Sequence, residues 1–530
     1  MRALGLALLA VGLTSCIAPD PNIEDPADFD DDEGDLGDVD VPPRRDGGRP
    51  RVDAGPRDIP LFDGGFGGLF PSPDGGLFVP PPARLSALIT NERTLPALSG
   101  GTLAVRGAGD VAVAADSDRD RIYVISLTTN KRQQIDLEVG SEPGRVIIDQ
   151  LGRAHVALRG SGQVLTIDLA SAQVLARTPL CTLPRGLAYD AAQDALVVAC
   201  AGGELITVAA GTHQPLASTQ LVLDLRDVML DDDGTRIVTR YRSAELLRVS
   251  AAGELLSKSV PSTTSVLTGN TIELQPNGQF VEKKSTHITS SPALAWRTVA
   301  ADHGRVLMLH QQSRDTEIDL GTSTTGASSY GGGCSSITTG AVTVFGTNGA
   351  VGPSIQLAPH GLSVDIAMSP DGRSIAIAEP GGYLRALPTV ELVDIGAFSG
   401  VAVDVPHDGG VLIPPPSCVT GWQAGTDYQG TAVAFDDSGK LYVFSREPAA
   451  LYVYRASDAI NGFNVVPERE IVLALESVRD TGHDMFHADV GSGMSCASCH
   501  GEGLDDGHVW NFKGFGPRRT QTMRGGLLST

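Results

Sequence analysis

Aromatic side chains are scarce in this 530-residue chain, at 5%, with three tryptophans in all. Charged residues are few as well, at 19%, which disfavours long helices with a charged solvent face. Basic residues are outnumbered 40 to 63 by acidic ones, for a net charge of −23. That balance lacks the basic footprint of a nucleic-acid partner, and none is expected. A sustained apolar run occurs only between Met1 and Ser15, and it is too short to span a bilayer. Cysteines number seven. What is plentiful is Gly (63) and Pro (33), the punctuation of short strands and turns.

Residues 1–15, MRALGLALLAVGLTS, set one arginine before an apolar run and small residues before Cys16, the layout of a secretory signal. Leu13-Thr14-Ser15-Cys16 resembles the bacterial lipobox, which implies cleavage before Cys16 and lipidation there; an ordinary signal cut nearby is the alternative. Ile17 resembles the sorting choice for an outer membrane, so the mature protein is expected in the cell envelope, anchored through lipid rather than embedded. Residues 16–84 read as a tether. Eleven acids and no Lys or Arg fall between Asp20 and Asp40, both included, a composition that cannot bury enough apolar surface to fold. Gly- and Pro-rich stretches such as DGGFGGLF and VPPP follow, a spacer.

From 85 to 474 one pattern recurs: an alternating apolar run, a polar turn, and a second apolar run. The turns are marked by Asp116, Asp149, Asp190, Asp231, Asp302, Ser369 and Asp436. Each instance reads as a β-hairpin. Successive markers are separated by 33, 41, 41, 71, 67 and 67. An interval of 41 fits one four-stranded blade, and the long ones fit blades with insertions, so the chain is expected to be mainly β, a propeller of about seven blades. A two-sheet sandwich or a solenoid is the alternative. SPDGRSIAIAEPGGYLRAL and DDSGKLYVFSREPAALYVYR resemble the repeats of bacterial YVTN-type propellers, which implies an architecture and not an activity. Quinoprotein dehydrogenase propellers carry a Trp motif in most blades, whereas only Trp296, Trp422 and Trp510 stand here.

The strongest chemical signal is Cys496-Ala497-Ser498-Cys499-His500, a C-x-x-C-H attachment site for one covalent haem c. Two thiols at that spacing reach the two vinyl groups, and His500 is placed as the proximal iron ligand. A zinc site would need a second ligand pair, and only His508 follows. A thioredoxin-like dithiol would not need His500. With Cys16 assigned to lipid, Cys181, Cys200, Cys334 and Cys418 remain as candidate disulfide partners. Three pairings are open, and 181–200 with 334–418 is the expected one.

The run GHDMFHADVGSGMSCASCHGEGLDDGHVWNFKGFGPRRTQTMRGG resembles the haem-binding half-domain of the bacterial di-haem cytochrome c peroxidase and MauG-like group. The resemblance is confined to this C-terminal run. It rests on Gly482 to Phe486 before the motif, the DDG after it and the GPRRT segment leading to RGG. It implies that 475–530 is a short, mostly α-helical cytochrome c segment used for electron transfer or, if the protein is an enzyme, peroxidase-type chemistry. The resemblance implies two haem motifs and a further segment that closes the haem pocket and can supply a sixth ligand. Here there is one motif, followed only by Gly501 to Thr530, so the segment reads as truncated or completed by another polypeptide. Met523 is a candidate distal ligand, with His508, His487 and His483 as weaker ones. Arg518 and Arg519 are candidates for the propionates, and Trp510 for packing on the macrocycle.

The expected function is that of an exported, lipid-anchored redox protein whose propeller docks a redox partner protein or small cytochrome. The rival is a binding scaffold whose haem segment is structural, sensory or a remnant.

Overall fold

The structure is a computed structural model that describes residues 70–71, 77–78 and 87–523, apart from 268–270, 275–278, 284–286, 319–335, 358–360, 386–387, 395–421, 456–465 and 490–493. Cys16, Cys334 and Cys418, with the lipidation and the 334–418 pairing they carry, lie outside the described residues.

Strands such as Val111–Asp116, VAVAAD, are apolar at nearly every position rather than at every second one. That pattern belongs to a strand buried on both faces. The structure supplies both covers. Ala112 and Ala114 pack with Ala432, Tyr442 and Phe444, while Val113 and Ala115 pack with Val146, Val156 and Leu165. A sheet sandwiched between two others is the condition of a propeller blade. Seven sheets of antiparallel strands follow in chain order, spanning 103–136, 143–179, 184–220, 225–259, 287–356, 365–424 and 430–472. The protein is a seven-bladed β-propeller.

The blades account for the irregular intervals. In blades 2 to 7 the marked turn joins the first and second strands, as at Asp190 between Pro184–Asp190 and Ala195–Cys200. In blade 1, Asp116 ends the second strand instead. Measured from Ala108, in the turn between blade 1's first two strands, the interval to Asp149 is 41, like its successors. The three long intervals hold an insertion ahead of blade 5, one inside blade 5 between Val306–Arg314 and Thr338–Phe345, and one inside blade 6 between Val390–Asp394 and Trp422–Ala424. The first of these adds a strand, Thr264–Leu267, beside the opening residues of the 14-residue strand His287–Ala300.

Each blade is contiguous in sequence, so among the described residues no strand from one end of the chain completes the blade at the other. The seam between blades 7 and 1 is closed by side chains. Leu103, Tyr123 and Ile125 pack on Phe444, Leu451 and Val453. Beside them Arg446 of blade 7 pairs with Asp118 of blade 1 at 2.5 Å, and both side chains are buried. Arg119 of blade 1 pairs with Asp116 at 2.9 Å and donates to the carbonyl of Glu476 at 2.6 Å.

After blade 7 the chain forms helix α1 (Thr481–His487), started by the Asp480 side chain accepting from the His483 amide, and the one-turn helix α2 (Cys496–Cys499). A two-stranded hairpin, Val509–Phe512 with Gly516–Arg519, completes the described segment. The expected short helical segment is present in Thr481–His487 and Cys496–Cys499, and a hairpin follows it. Gly503, Gly507, Gly514 and Gly516 all have positive φ, which ends helical turns.

If the seam depends on the buried pair, Arg446→Met, which strands Asp118, lowers stability by about 3–5 kcal/mol. Arg455→Met, which removes an exposed pair with Glu468, costs about 1 kcal/mol or less. Denaturant unfolding of the two variants tests this, and equal losses would contradict the seam's role.

Candidate functional site

Inner strands run in one direction around a propeller axis, so their first residues ring one end of the channel. The segment that follows blade 7 lies on that ring. Asp484 of α1 approaches Arg446 of blade 7 at 3.7 Å. The amide of Asp489 donates to Gly381 in blade 6 at 2.8 Å. Ser495 and Ser498 both donate to the carbonyl of Gly361, ahead of blade 6's inner strand. His508 Nε2 donates to the carbonyl of Arg314 in blade 5 at 3.0 Å, and Arg242 of blade 4 pairs with Asp505 at 3.3 Å. The strap ahead of blade 1 joins in: the amide of Thr481 donates to Ile89, and the amide of Asn91 to Asp480.

The C-x-x-C-H turn is built locally by a capping box, in which the Ser495 and Ser498 side chains serve each other's backbone and start α2. Cys496 is exposed and Cys499 partly buried, and neither is in a disulfide. Cys499 packs beside Trp510, Ile318, Ile337, Met494 and Phe512. Burial pushes its thiol well above the usual range, and Asp506 adds to the effect. His500 Nδ1 lies 3.2 Å from the carbonyl of Leu504. A carbonyl only accepts, so Nδ1 carries the proton and Nε2 keeps its lone pair, the tautomer an iron ligand needs.

The next residues fix this turn to the propeller. A Cβ on Gly501 would stand 2.5 Å from Tyr241 Oη, so only glycine fits there. Glu502, at φ 53°, sends a fully buried carboxylate to three arginines: Arg226 at 2.5 Å, Arg159 at 3.2 Å and Arg185 at 3.3 Å. Arg185 and Arg226 belong to the inner strands of blades 3 and 4, and Arg159 follows the second strand of blade 2. Burial opposes ionisation of Glu502, but Arg159, Arg226 and Arg185 outweigh it and hold the carboxyl well below its ordinary range. Deeper in, Arg145 of blade 2 meets Asp227 of blade 4 at 2.7 Å, so side chains span the channel.

Beside the turn lies a cleft of ≈ 670 Å³ between the strap Asn91–Ala97 and α1, with Phe486, Gly503 and Met523 among its walls. Met523 is 55% exposed and lines it. His483 and His487 line it too, but His487 is committed: Nδ1 donates to the His483 carbonyl and Nε2 accepts from the Leu98 amide. His483 donates through Nε2 to Pro96, and burial, with Arg446 nearby, lowers its pKa to about 3, so it is neutral. Trp510 is buried against Cys499 and donates to Thr520 at 2.9 Å. Arg518 and Arg519 are exposed, and Arg519 faces Asp505 at 3.7 Å. Cys181 and Cys200 form a disulfide with Cα atoms 6.3 Å apart, bracketing the first hairpin of blade 3.

Glu502 and its arginines escaped the sequence reading. A signal exists: Arg145, Arg185 and Arg226 recur at the blade period, each on the first strand of its blade. Among the described residues no three His, Cys, Asp or Glu converge as a metal cage, so the zinc reading finds no ligand set there. The C-x-x-C-H residues fit haem c: two unbonded thiols one turn apart, and a histidine with its tautomer set.

No protein-family model and no curated protein matches the sequence. Among solved structures, hydrazine synthase from Kuenenia stuttgartiensis is similar at 14% identity and a TM-score of 0.51, over 71% of this chain and 99% of that one. A virginiamycin B lyase from Staphylococcus aureus gives 11% identity and a TM-score of 0.42, over 68% of this chain and 94% of that one. At such identities the likeness shows the propeller fold alone.

In chain made without haem attachment, Cys496 is expected to react with iodoacetamide on the order of tenfold faster than Cys499, because burial both hides the Cys499 thiol and raises its pKa. Peptide mass spectrometry over a time course reads this, and equal rates would refute the burial difference.

Proposed function

We propose that this chain is a cell-envelope haem c protein in which the propeller holds the haem-bearing segment and docks a redox partner protein or small cytochrome. The observation that carries the reading is the C-x-x-C-H turn itself, with both thiols unbonded and His500 Nδ1 committed to Leu504. Cys496 and Cys499 would hold the porphyrin by thioether bonds and His500 would ligate the iron from one side. When bound, the haem supplies a one-electron couple, or an iron able to reduce peroxide.

The chain's own residues do the rest. The Leu504 carbonyl orients His500, and the capping serines hold α2 on the propeller. The strap and α1 wall a cleft beside the turn, with Phe486 apolar and His483 neutral. Met523 lines that cleft without a competing commitment, unlike His487, which favours it as the distal ligand. Lipid at Cys16 would keep the protein at the envelope, in keeping with the outer-membrane sorting residue. The scaffold reading, with a structural haem, draws on the same seating of the segment across the channel.

Expression with a haem-c maturation system, followed by oxidised and dithionite-reduced spectra, tests the proposal. One covalent haem per chain that survives denaturation is expected, lost in the Cys496→Ser/Cys499→Ser double variant. Met523→Ala is expected to turn a low-spin spectrum high-spin. A chain that carries no covalent haem while a control cytochrome matures would sink the proposal. A haem that neither exchanges electrons nor turns over peroxide would leave the scaffold reading.

A further inference from the structure

Two of the arginines around Glu502 are held by further partners of their own. Arg185 pairs with Asp224 at 2.8 Å and donates to the carbonyl of Leu225. Arg226 donates to the Trp296 carbonyl at 3.2 Å and to Ser99 Oγ at 2.9 Å, and its guanidinium lies 5.0 Å from the Tyr241 ring centre and 5.3 Å from that of Trp296. Arg159 is 6% exposed and faces Glu502 from blade 2. Three guanidinium groups from three consecutive blades thus converge on one point, two of them held in place by the blades around them. The carboxylate they meet belongs to a residue two positions past His500.

We propose that Arg159, Arg185 and Arg226 form a carboxylate receptor at the channel end and that Glu502 is its built-in occupant, the positioning residue that seats the haem turn on the propeller. The receptor is a property of the blades and stands independently of haem. The positioning of His500 rests on the haem reading above. Because Arg185 and Arg226 are braced without Glu502, removing its side chain leaves a cationic hole sized for a small carboxylate. A neutral molecule of the same size gains nothing there, since guanidinium forks match a carboxylate in charge and geometry.

The test uses full-length chain carrying Glu502→Ala, with formate as the probe and formamide and chloride at matched concentrations as controls. Limited trypsinolysis within 475–523 is expected to run on the order of tenfold faster than in the parent chain, because unpairing a buried charge cluster frees the segment. Formate is expected to restore protection, and the controls are not. In haem-loaded protein the same variant is expected to show a shifted reduction potential and altered spectrum, both reversed by formate.

Unchanged protection in Glu502→Ala, or rescue by chloride as complete as by formate, would overturn the receptor. Should Glu502→Ala not yield folded protein, Glu502→Gln keeps the volume and presents a neutral amide to the arginines; parent-like protection in that variant also overturns it. Restored protection with an unchanged haem spectrum would keep the receptor and refute the positioning of His500. If the parent chain carries no haem, the proteolysis arms still decide the receptor, while the haem reading fails separately.

Discussion

A carboxylate taken out of water is tolerated only where positive charge replaces its hydration, and Glu502 meets that condition with three guanidinium groups at 2.5, 3.2 and 3.3 Å. Much of the molecule's organisation depends on this cluster. It requires consecutive blades to present arginine at one end of the channel. It requires Gly501, because any side chain would collide with Tyr241, and it places Glu502 in the left-handed region. A buried ion cluster of this kind adds little net stability over an apolar plug, since desolvation offsets the attraction. What it provides is registry: a displaced segment leaves three cations without their anion.

The ring has the same character at its seam. Propeller blades bury both faces, so the apolar packing of blade 7 on blade 1 resembles that between any other neighbours. The seam adds an ionic lattice of Arg446, Asp118, Arg119 and Asp116, which also reaches Glu476 and Asp484 in the segment that leaves blade 7. Closure of the ring and docking of the last segment therefore share residues. The segment is tied to blades 2, 3, 4 and 7 by charge, to blade 5 by a histidine and to blade 6 by serines and backbone. It is an element of the propeller rather than an appendage to it.

The propeller was legible because its signals are local. A strand such as VAVAAD is apolar on both faces, its turn is acidic or glycine-rich, and the unit returns at a steady interval, as from Asp149 to Asp190 to Asp231. The departing first interval came from a turn one strand later, where RGAGD lacks the long apolar run before it. The C-x-x-C-H turn stood out for the same reason, since five consecutive residues carry it. The surroundings of the motif were not. The cleft beside Glu502 and Gly503 is walled by Asn91–Ala97, from the far end of the propeller sequence, and no periodicity links a strap to a helix that distant. The arginine receptor lay between these cases: two of its residues recur at the blade period, but the carboxylate that gives them meaning stands in a different segment.

The strap also fixes an order of events. Ile89 and Asn91 bond to Thr481 and Asp480 across 392 and 389 residues of sequence. In a chain synthesised from its amino end, the strap emerges first and waits through seven blades for its partner. Contacts so distant in sequence form late, after the ring between them has closed. The cleft therefore acts as a record of completed assembly. A chain stalled with one blade unformed holds the strap and the helix far apart, and the cleft between them does not form.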